Sequence, residues 1–508
     1  MKRKINNRKL KLGAVSLTVT MLTLAAVIIF NVAFTALAYK FSLYTRLSND
    51  PTYDVTDACI DYIENTVIKK IPDGDSVTIY FCDDAEVIEA DEDSKNILTS
   101  AKKIEEAFDG KIRVDFLNAW ENPKLARKYG VKSSTDVAVV YGDRCEVISR
   151  ADFYLWNEQT QIATAYNGEK RIAAGLLKVV RENNPMCYIT VNHSETVEGY
   201  ELLYMLADAG YNYTYLDLMS YDIPDDCQLL VTFDPRQDLT QKSSISGISE
   251  KQKLESYLQN GGNLWFFASA DTFLSGSLDE FENLLGKYGI EFFHSENSEG
   301  LEECIQIKDA NNSTSIDGYT IFAKIAENNT ANDVLGNIKS RIIFGGATAI
   351  EPAEGFAKGN DGSFVSGDGK VKMSPILTTH DGAEGWASGR IVQKSTKDTP
   401  FTLMSLSEAE CENGKTATVM ACASTSFAGT EALQSASLGN SAALSCISKR
   451  AGNTDAPTEL VAKPFPTTEM KTLTVKNATL ITIISAAVPS LAIATIGAVI
   501  LIKRKNRA

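Results

Sequence analysis

The chain has 508 residues, 44% of them hydrophobic, with 50 basic residues against 65 acidic ones. Its net charge of −15 at pH 7 argues against nucleic acid as a partner, because phosphate backbones demand a basic surface. A chain of this length has room for several domains and a sizeable core.

From the N-terminus, a basic tail over 1–11 (Lys2, Arg3, Lys4, Arg8, Lys9, Lys11) precedes an uncharged apolar run from Leu12 to Tyr39. A second such run, Asn477 to Ile502, lies at the other end, followed by the basic tail 503–508 with Lys503, Arg504, Lys505 and Arg507. A bilayer core needs about 20 mostly apolar helical residues, so both runs are expected to span a lipid bilayer. Lys and Arg beside a span stay on the cytoplasmic side, which predicts cytoplasmic termini and a large body, Phe41 to Lys476, outside the cell membrane. That body holds 39 basic residues against all 65 acidic ones. Ala36-Leu37-Ala38 resembles a signal-peptide cleavage pattern, but the apolar run exceeds the ~7–15 residues of a signal h-region, so an uncleaved anchor is expected.

The outer region contains all nine cysteines. They form no CxxC pair and no Cys/His cluster, which removes support for a zinc or dithiol site; most read as small buried hydrophobes.

Residues 40–165 predict a small α/β domain. Thr56 is placed to cap a helix carrying Cys59, Tyr62 and Ile63 on one face. Val77 to Phe81 reads as a strand, Ile97, Ala101, Ile104 and Phe108 recur at helical spacing, and Ile112, Val114 and Phe116 alternate as a second strand, completing a βαβ unit. Val137 to Tyr141 and Cys145 to Ile148 predict a hairpin turning at Gly142-Asp143.

Residues 166–300 carry the clearest pattern. A helix over Glu169 to Arg181 leads to a strand Met186 to Val191, a helix around Leu202 to Leu206, and strands at Tyr213 to Leu216 and Gln228 to Phe233. A further helix with Leu254, Tyr257 and Leu258 stops at Gly261-Gly262, and Asn263 to Ala268 is the next strand. Apolar strands alternating with amphipathic helices predict a doubly wound parallel sheet covered on both faces.

Over 301–413 the helical periodicity fades, which predicts a β-rich insertion with a long flexible section at Glu351 to Gly369. The α/β pattern returns over 414–450, with a strand at Ala417 to Ala423 and a helix at Ser441 to Ile447. Residues 451–476, with Pro457, Pro464 and Pro466, read as a stalk leading into the second span.

In open α/β sheets, ligands bind beyond the carboxyl ends of the strands. His193, Glu195, Asp234, Arg236, Asp238 and Asp271 all follow such ends and form a candidate rim for a ligand or a partner protein; the alternative is that Glu195, Asp234 and Asp238 cap helices or close turns and His193 is a surface residue. Phosphate cradling requires a Walker loop or a GxGxxG turn after a strand, and neither occurs, so no cofactor is expected. The elbow positions after the strands offer Asn192, His193, Ser194, Asp234 and Ser269, none within the Gly-x-Ser-x-Gly or Gly-x-Cys-x-Gly setting of an acyl-transfer nucleophile. No catalytic residue and no metal ligand is therefore assigned.

The chain resembles the GldG-type auxiliary proteins of ABC transport systems. The residues that carry this are the N-terminal span, the Thr56 helix before a strand, the run Val191-Asn192-His193-Ser194-Glu195, the run from Phe233 to Thr240, the helix ending in Gly261-Gly262, and the C-terminal span. The similarity is strongest over roughly residues 10–300. Members typically show Gly-His-Gly-Glu where this chain has Asn192-His193-Ser194-Glu195, and Gly-Pro where it has Asp234-Pro235. The resemblance implies an amidotransferase-like α/β fold without the amidotransferase chemistry, acting beside a separate permease and a separate ATPase subunit. The expectation is thus a non-catalytic, membrane-anchored auxiliary subunit. The competing readings are an extracytoplasmic hydrolase tethered at both ends and a structural cell-envelope binding protein.

Overall fold

Alternating burial along Val77–Phe81 builds the first sheet. The computed structural model describes residues 51–157, 160–195, 201–240, 247–296, 302–336 and 338–465. Both apolar runs expected to span a membrane, 12–39 and 477–502, lie outside these residues, as do both basic tails. No helix among the described residues is long and apolar enough to cross a membrane. Of the unit ending at Asp54, the described part is one 3-10 turn, Pro51–Tyr53; the chain from Val55 on forms a second unit, a mixed α/β fold with several sheets.

The first sheet has four strands in the order Ile112–Phe116, Val77–Phe81, Val137–Tyr141, Arg144–Ile148. The first two are parallel and joined by the helix Glu92–Ala107, which buries Ile97, Ala101 and Ile104, as the periodicity predicts. The last two form the expected hairpin, with Gly142 at φ 62° where a side chain would be strained. Thr56 accepts a hydrogen bond from the Cys59 amide and caps the helix Asp57–Tyr62. The helix Gly168–Val180 lies against this sheet. At Gly175 a Cβ would sit 3.0 Å from Ile148 Cδ1 and 3.2 Å from Val139 Cγ2, so the close approach favours a residue without one.

The large sheet has 13 strands. Five of them are mutually parallel, in the order Asn212–Asp217, Met186–Val191, Cys227–Phe233, Asn263–Phe267, Thr416–Cys422. Every side chain from Leu264 to Phe267 is buried, because both faces are covered. Trp265 and Phe267 belong to the core beneath the helices Glu201–Asp208 and Asn440–Arg450, whereas Leu264 and Phe266 join the core beneath Glu250–Gln259 and Asp279–Gly286. The return of the α/β pattern at Thr416–Cys422 is thus a parallel pairing with Asn263–Phe267.

Residues 302–413 continue this sheet instead of standing apart from it. Thr402–Glu410 lies antiparallel to Thr416–Cys422 along seven residue pairs, and Val371–Thr378, Thr320–Ile325 and Ile342–Gly345 extend the sheet further. The stretch expected to be flexible, 351–369, contains the hairpin Phe356–Lys358 and Phe364–Ser366, which is attached to Val371–Thr378. Strands of three residues are too short to show alternation, which is why the Gly- and Asp-rich composition points the wrong way here.

The segment expected as a stalk also departs from its composition. Over 451–465 it lies on the body: Ala451, Asn453, Ala456 and Leu460 are buried, and Lys463–Pro464 pairs antiparallel with Ile162–Tyr166 in a three-stranded sheet completed by Tyr154–Asn157. Pro464 occupies a sheet edge, where its missing N–H costs no ladder bond. The remainder, 466–476, lies outside the described residues.

Candidate functional site

Register decides what meets at the carboxyl ends of the parallel strands. Phe233, Phe267 and Cys422 lie side by side across three of them, and Ile189 is level with Val231. The residues that follow, Asn192 to Glu195, Asp234 to Asp238 and Ser269 to Asp271, therefore emerge along one edge.

His193 is at the centre of this edge, 3% exposed. Its Nδ1 lies 3.0 Å from Glu195 Oε1 and its Nε2 3.2 Å from Glu250 Oε1, with both carboxylates also buried. The His193 amide donates to Glu195 Oε2, and the His193 carbonyl accepts from the amides of Arg236 and Gln237 at 2.8 and 3.0 Å. Phe281 packs edge-on to the imidazole, 5.7 Å between centroids. Burial works to lower the His193 pKa, but the hydrogen bonds to Glu195 and Glu250 override it and push it up to about 9. Burial likewise works to raise Glu195, and the His193 hydrogen bond overcomes it, leaving that carboxyl below its ordinary range.

A second pair lies beside the first. Asp234 Oδ2 accepts from Arg236 Nε and Nη2 at 3.1 and 2.7 Å, and Asp234 Oδ1 accepts from the Thr272 hydroxyl at 2.5 Å. Arg236 Nη1 donates to the Asp271 carbonyl. Asp238 caps the helix Asp279–Gly286 from outside it, accepting from the amides of Glu280 and Phe281 at 2.8 and 3.1 Å. It thereby fixes the ring that leans on His193.

The structure thus places two side-chain pairs, His193–Glu195 and Asp234–Arg236, side by side and joined through the His193 carbonyl; Asp238 binds backbone amides of a neighbouring helix, and Asp271 takes part only through its backbone carbonyl, its side chain being exposed. The rim is for the most part closed: the His193, Glu195 and Asp234 side chains are buried, His193 paired with Glu195 and Glu250 and Asp234 with Arg236, because charges that leave water must find partners. Sequence reasoning missed Glu250. Its signal was the Ser249–Gln252 capping box, which marks Glu250 as the first residue of a helix, yet nothing local ties that helix start to His193.

Three residues of this edge have left-handed backbones without being glycine: Asn192 at φ 81°, Ser194 at φ 57° and Asp234 at φ 52°. Such conformations cost about 1–3 kcal/mol each for ordinary side chains, and Asn and Asp tolerate them best.

The chemistry open to this site is narrow. Both imidazole nitrogens are held by carboxylates, so His193 has no lone pair to take a proton from a hydroxyl or thiol. Ser194 Oγ accepts from Gln237 Nε2 instead, and Ser269 is tied to Thr272 in a capping box. The ring nitrogens point in opposite directions, so the two glutamates do not converge, and among the described residues no group of three His, Cys, Asp or Glu side chains is placed to hold a metal ion.

No family model matches the sequence, and no curated protein matches it. Among solved structures, the N-terminal domain of mmIFT52 is similar at 10% identity and TM-score 0.36, over 53% of this chain and 97% of that one. A cytoplasmic protein from Salmonella typhimurium is similar at 12% identity and TM-score 0.28, over 55% and 99% respectively. PurLQS from Thermotoga maritima follows at 13% identity and TM-score 0.23, over 47% and 87%. Scores this low carry no argument about what this chain does.

All nine cysteines are free thiols. Burial pushes Cys59, Cys82 and Cys304 up to about 12, which makes them poor nucleophiles at neutral pH.

Proposed function

We propose that this chain is a non-catalytic, membrane-anchored auxiliary subunit of an ABC transport system, presenting an extracytoplasmic body that binds a ligand or the permease. The observation that carries this reading is a coincidence of positions. Where GldG-type proteins have glycines, in Gly-His-Gly-Glu and in Gly-Pro, this chain has Asn192, Ser194 and Asp234, and these are the three residues of the edge with positive φ. A backbone that wants glycine at those places is what the family pattern requires. The five parallel strands with helices on both faces fit the doubly wound, amidotransferase-like sheet that the same resemblance implies.

Two further features support the reading. Both nitrogens of His193 are occupied, which disfavours the tethered-hydrolase alternative. The first and last segments of the body also meet on one buried side chain: Glu169 Oε1 accepts from the Thr56 amide at 2.5 Å and from Lys463 Nζ at 2.8 Å, and Glu169 Oε2 from the Thr56 hydroxyl at 3.0 Å. A body whose two ends leave together suits a pair of neighbouring membrane anchors.

The experiment is detergent co-purification of the full chain from its native cells. Recovery of a Walker-loop ATPase and a multi-span permease with it supports the assignment. Recovery of neither, together with unchanged transport and ATPase localisation in cells lacking the chain, removes it.

A further inference from the structure

Away from the strand edge, the helix Gly168–Val180 buries a second cation. The Lys170 side chain is enclosed, the residue being 6% exposed, and its one hydrogen bond goes to the Ser445 hydroxyl at 3.3 Å. An ammonium group has three protons to donate and is costly to bury without an anion beside it. No carboxylate lies within ion-pair distance of it among the described residues. The acidic side chains that line the same cavity have other partners: Asp208, whose charge also acts on Lys170, is 2.7 Å from Arg171 and accepts from Asn167 Nδ2 at 3.2 Å, while Glu201 Oε2 accepts from the Thr430 hydroxyl at 2.7 Å. Burial pulls the Lys170 pKa below its ordinary value.

Lys170 lines a cavity of about 110 Å³ together with Asn167, Arg171, Glu201, Asp208 and Gln434. That is far less than the ~300–1,000 Å³ of a drug-sized site. Its charges are of both signs. Arg171 and Asp208 pair in the wall, so Lys170 shares the Asp208 charge with Arg171 and has no carboxylate in direct contact, and one oxygen of Glu201 has no hydrogen-bond partner among the described residues.

The geometry points to a binding site for a small zwitterion, an α-amino acid of few heavy atoms, whose carboxylate meets Lys170 and whose ammonium meets Glu201. The proposal goes beyond the auxiliary-subunit reading and does not depend on it.

The test is calorimetric titration of the full-length chain in detergent micelles, near pH 7, with glycine, L-alanine and L-serine, and with acetate and methylammonium as the two halves of the ligand. Saturable binding of at least one amino acid, ten times tighter than either half, is expected. Lys170→Met and Glu201→Gln should each weaken it at least tenfold. Glu201 is the less buried of the two, so its variant keeps the test alive should Lys170→Met fail to fold. No saturable binding of any amino acid, acetate binding as tightly as glycine, or unaltered affinity in a folded variant would each overturn the assignment. The outcome is separable from co-purification of transporter subunits, which reads a different property.

Discussion

The imidazole of His193 lies between two glutamates at the point where three loops meet, and its protonation holds them. The sign of the pH effect follows from the direction of the shift. A histidine raised from 6.5 in the unfolded chain to about 9 when folded contributes stability that is fully present below pH 6.5 and is lost as pH rises through 9. The contribution is about 3 kcal/mol on the scale of 1.4 kcal/mol per tenfold change. On the acid side, Glu195, lowered on folding, contributes above the ordinary carboxylate range and is lost as pH falls below it. The urea midpoint of the full chain is therefore expected to fall between pH 6.5 and 9.5, and His193→Gln should flatten that slope; an equal slope in the variant would assign the effect to another group. The neighbouring Ser194 gives a second test. Ser194→Gly should leave stability unchanged or raise it by up to about 1 kcal/mol, whereas Ser194→Val should lower it by about 1–3 kcal/mol, because a β-branched side chain resists positive φ. The gathering of these loops along one edge was legible because parallel strands all end on one side. Their burial was not, since it depends on Glu250 and Phe281, which arrive from helices more than 50 residues further along the chain than His193.

Asp238 shows how an element is stabilised from outside itself. The helix Asp279–Gly286 begins at Leu278, which has no side chain able to accept from the first amides, and the remote carboxylate takes that role. Asp238→Ala should cost about 1–2 kcal/mol, with Asp238→Asn recovering most of it, measured by chemical denaturation. Amide exchange should quicken first at Glu280 and Phe281; protection unchanged there would mean another group caps the helix. Val77–Phe81, Val137–Tyr141 and Met186–Val191 match their predicted limits, because each has enough length for burial to leave a period. The helix Asn329–Leu335, capped by Asn328, was missed: seven residues with Asn at the cap and at the first and fourth helical positions leave too little apolar repeat to register. The strands Tyr154–Asn157 and Ile162–Tyr166 were missed as well, since their third partner lies some 300 residues away.

For the whole molecule, the consequence of continuing one sheet through 302–413 is interdependence. Met373, Ile376, Leu377, Leu403, Met404 and Leu406 from that stretch belong to the same two cores as Trp265 and Phe266. Replacing 302–413 by a short linker is expected to abolish a protease-resistant body, not to leave a trimmed α/β domain; recovery of a stable core fragment would show the stretch to be dispensable. Glu169→Ala should cost about 2–4 kcal/mol by removing the carboxylate that the Thr56 amide and the Lys463 ammonium share, and should expose the chain near Lys463 to proteolysis before any other part.

The way in and the way out of the body share a single carboxylate oxygen. A module built so can be lifted whole and spliced into a surface turn of an unrelated host without stretching either, or its ends can be ligated and the chain reopened elsewhere, as at the exposed Gly142-Asp143 turn. Grafts and circular permutants of this body should keep its shape, and that tolerance gives a means of studying it with both tails removed.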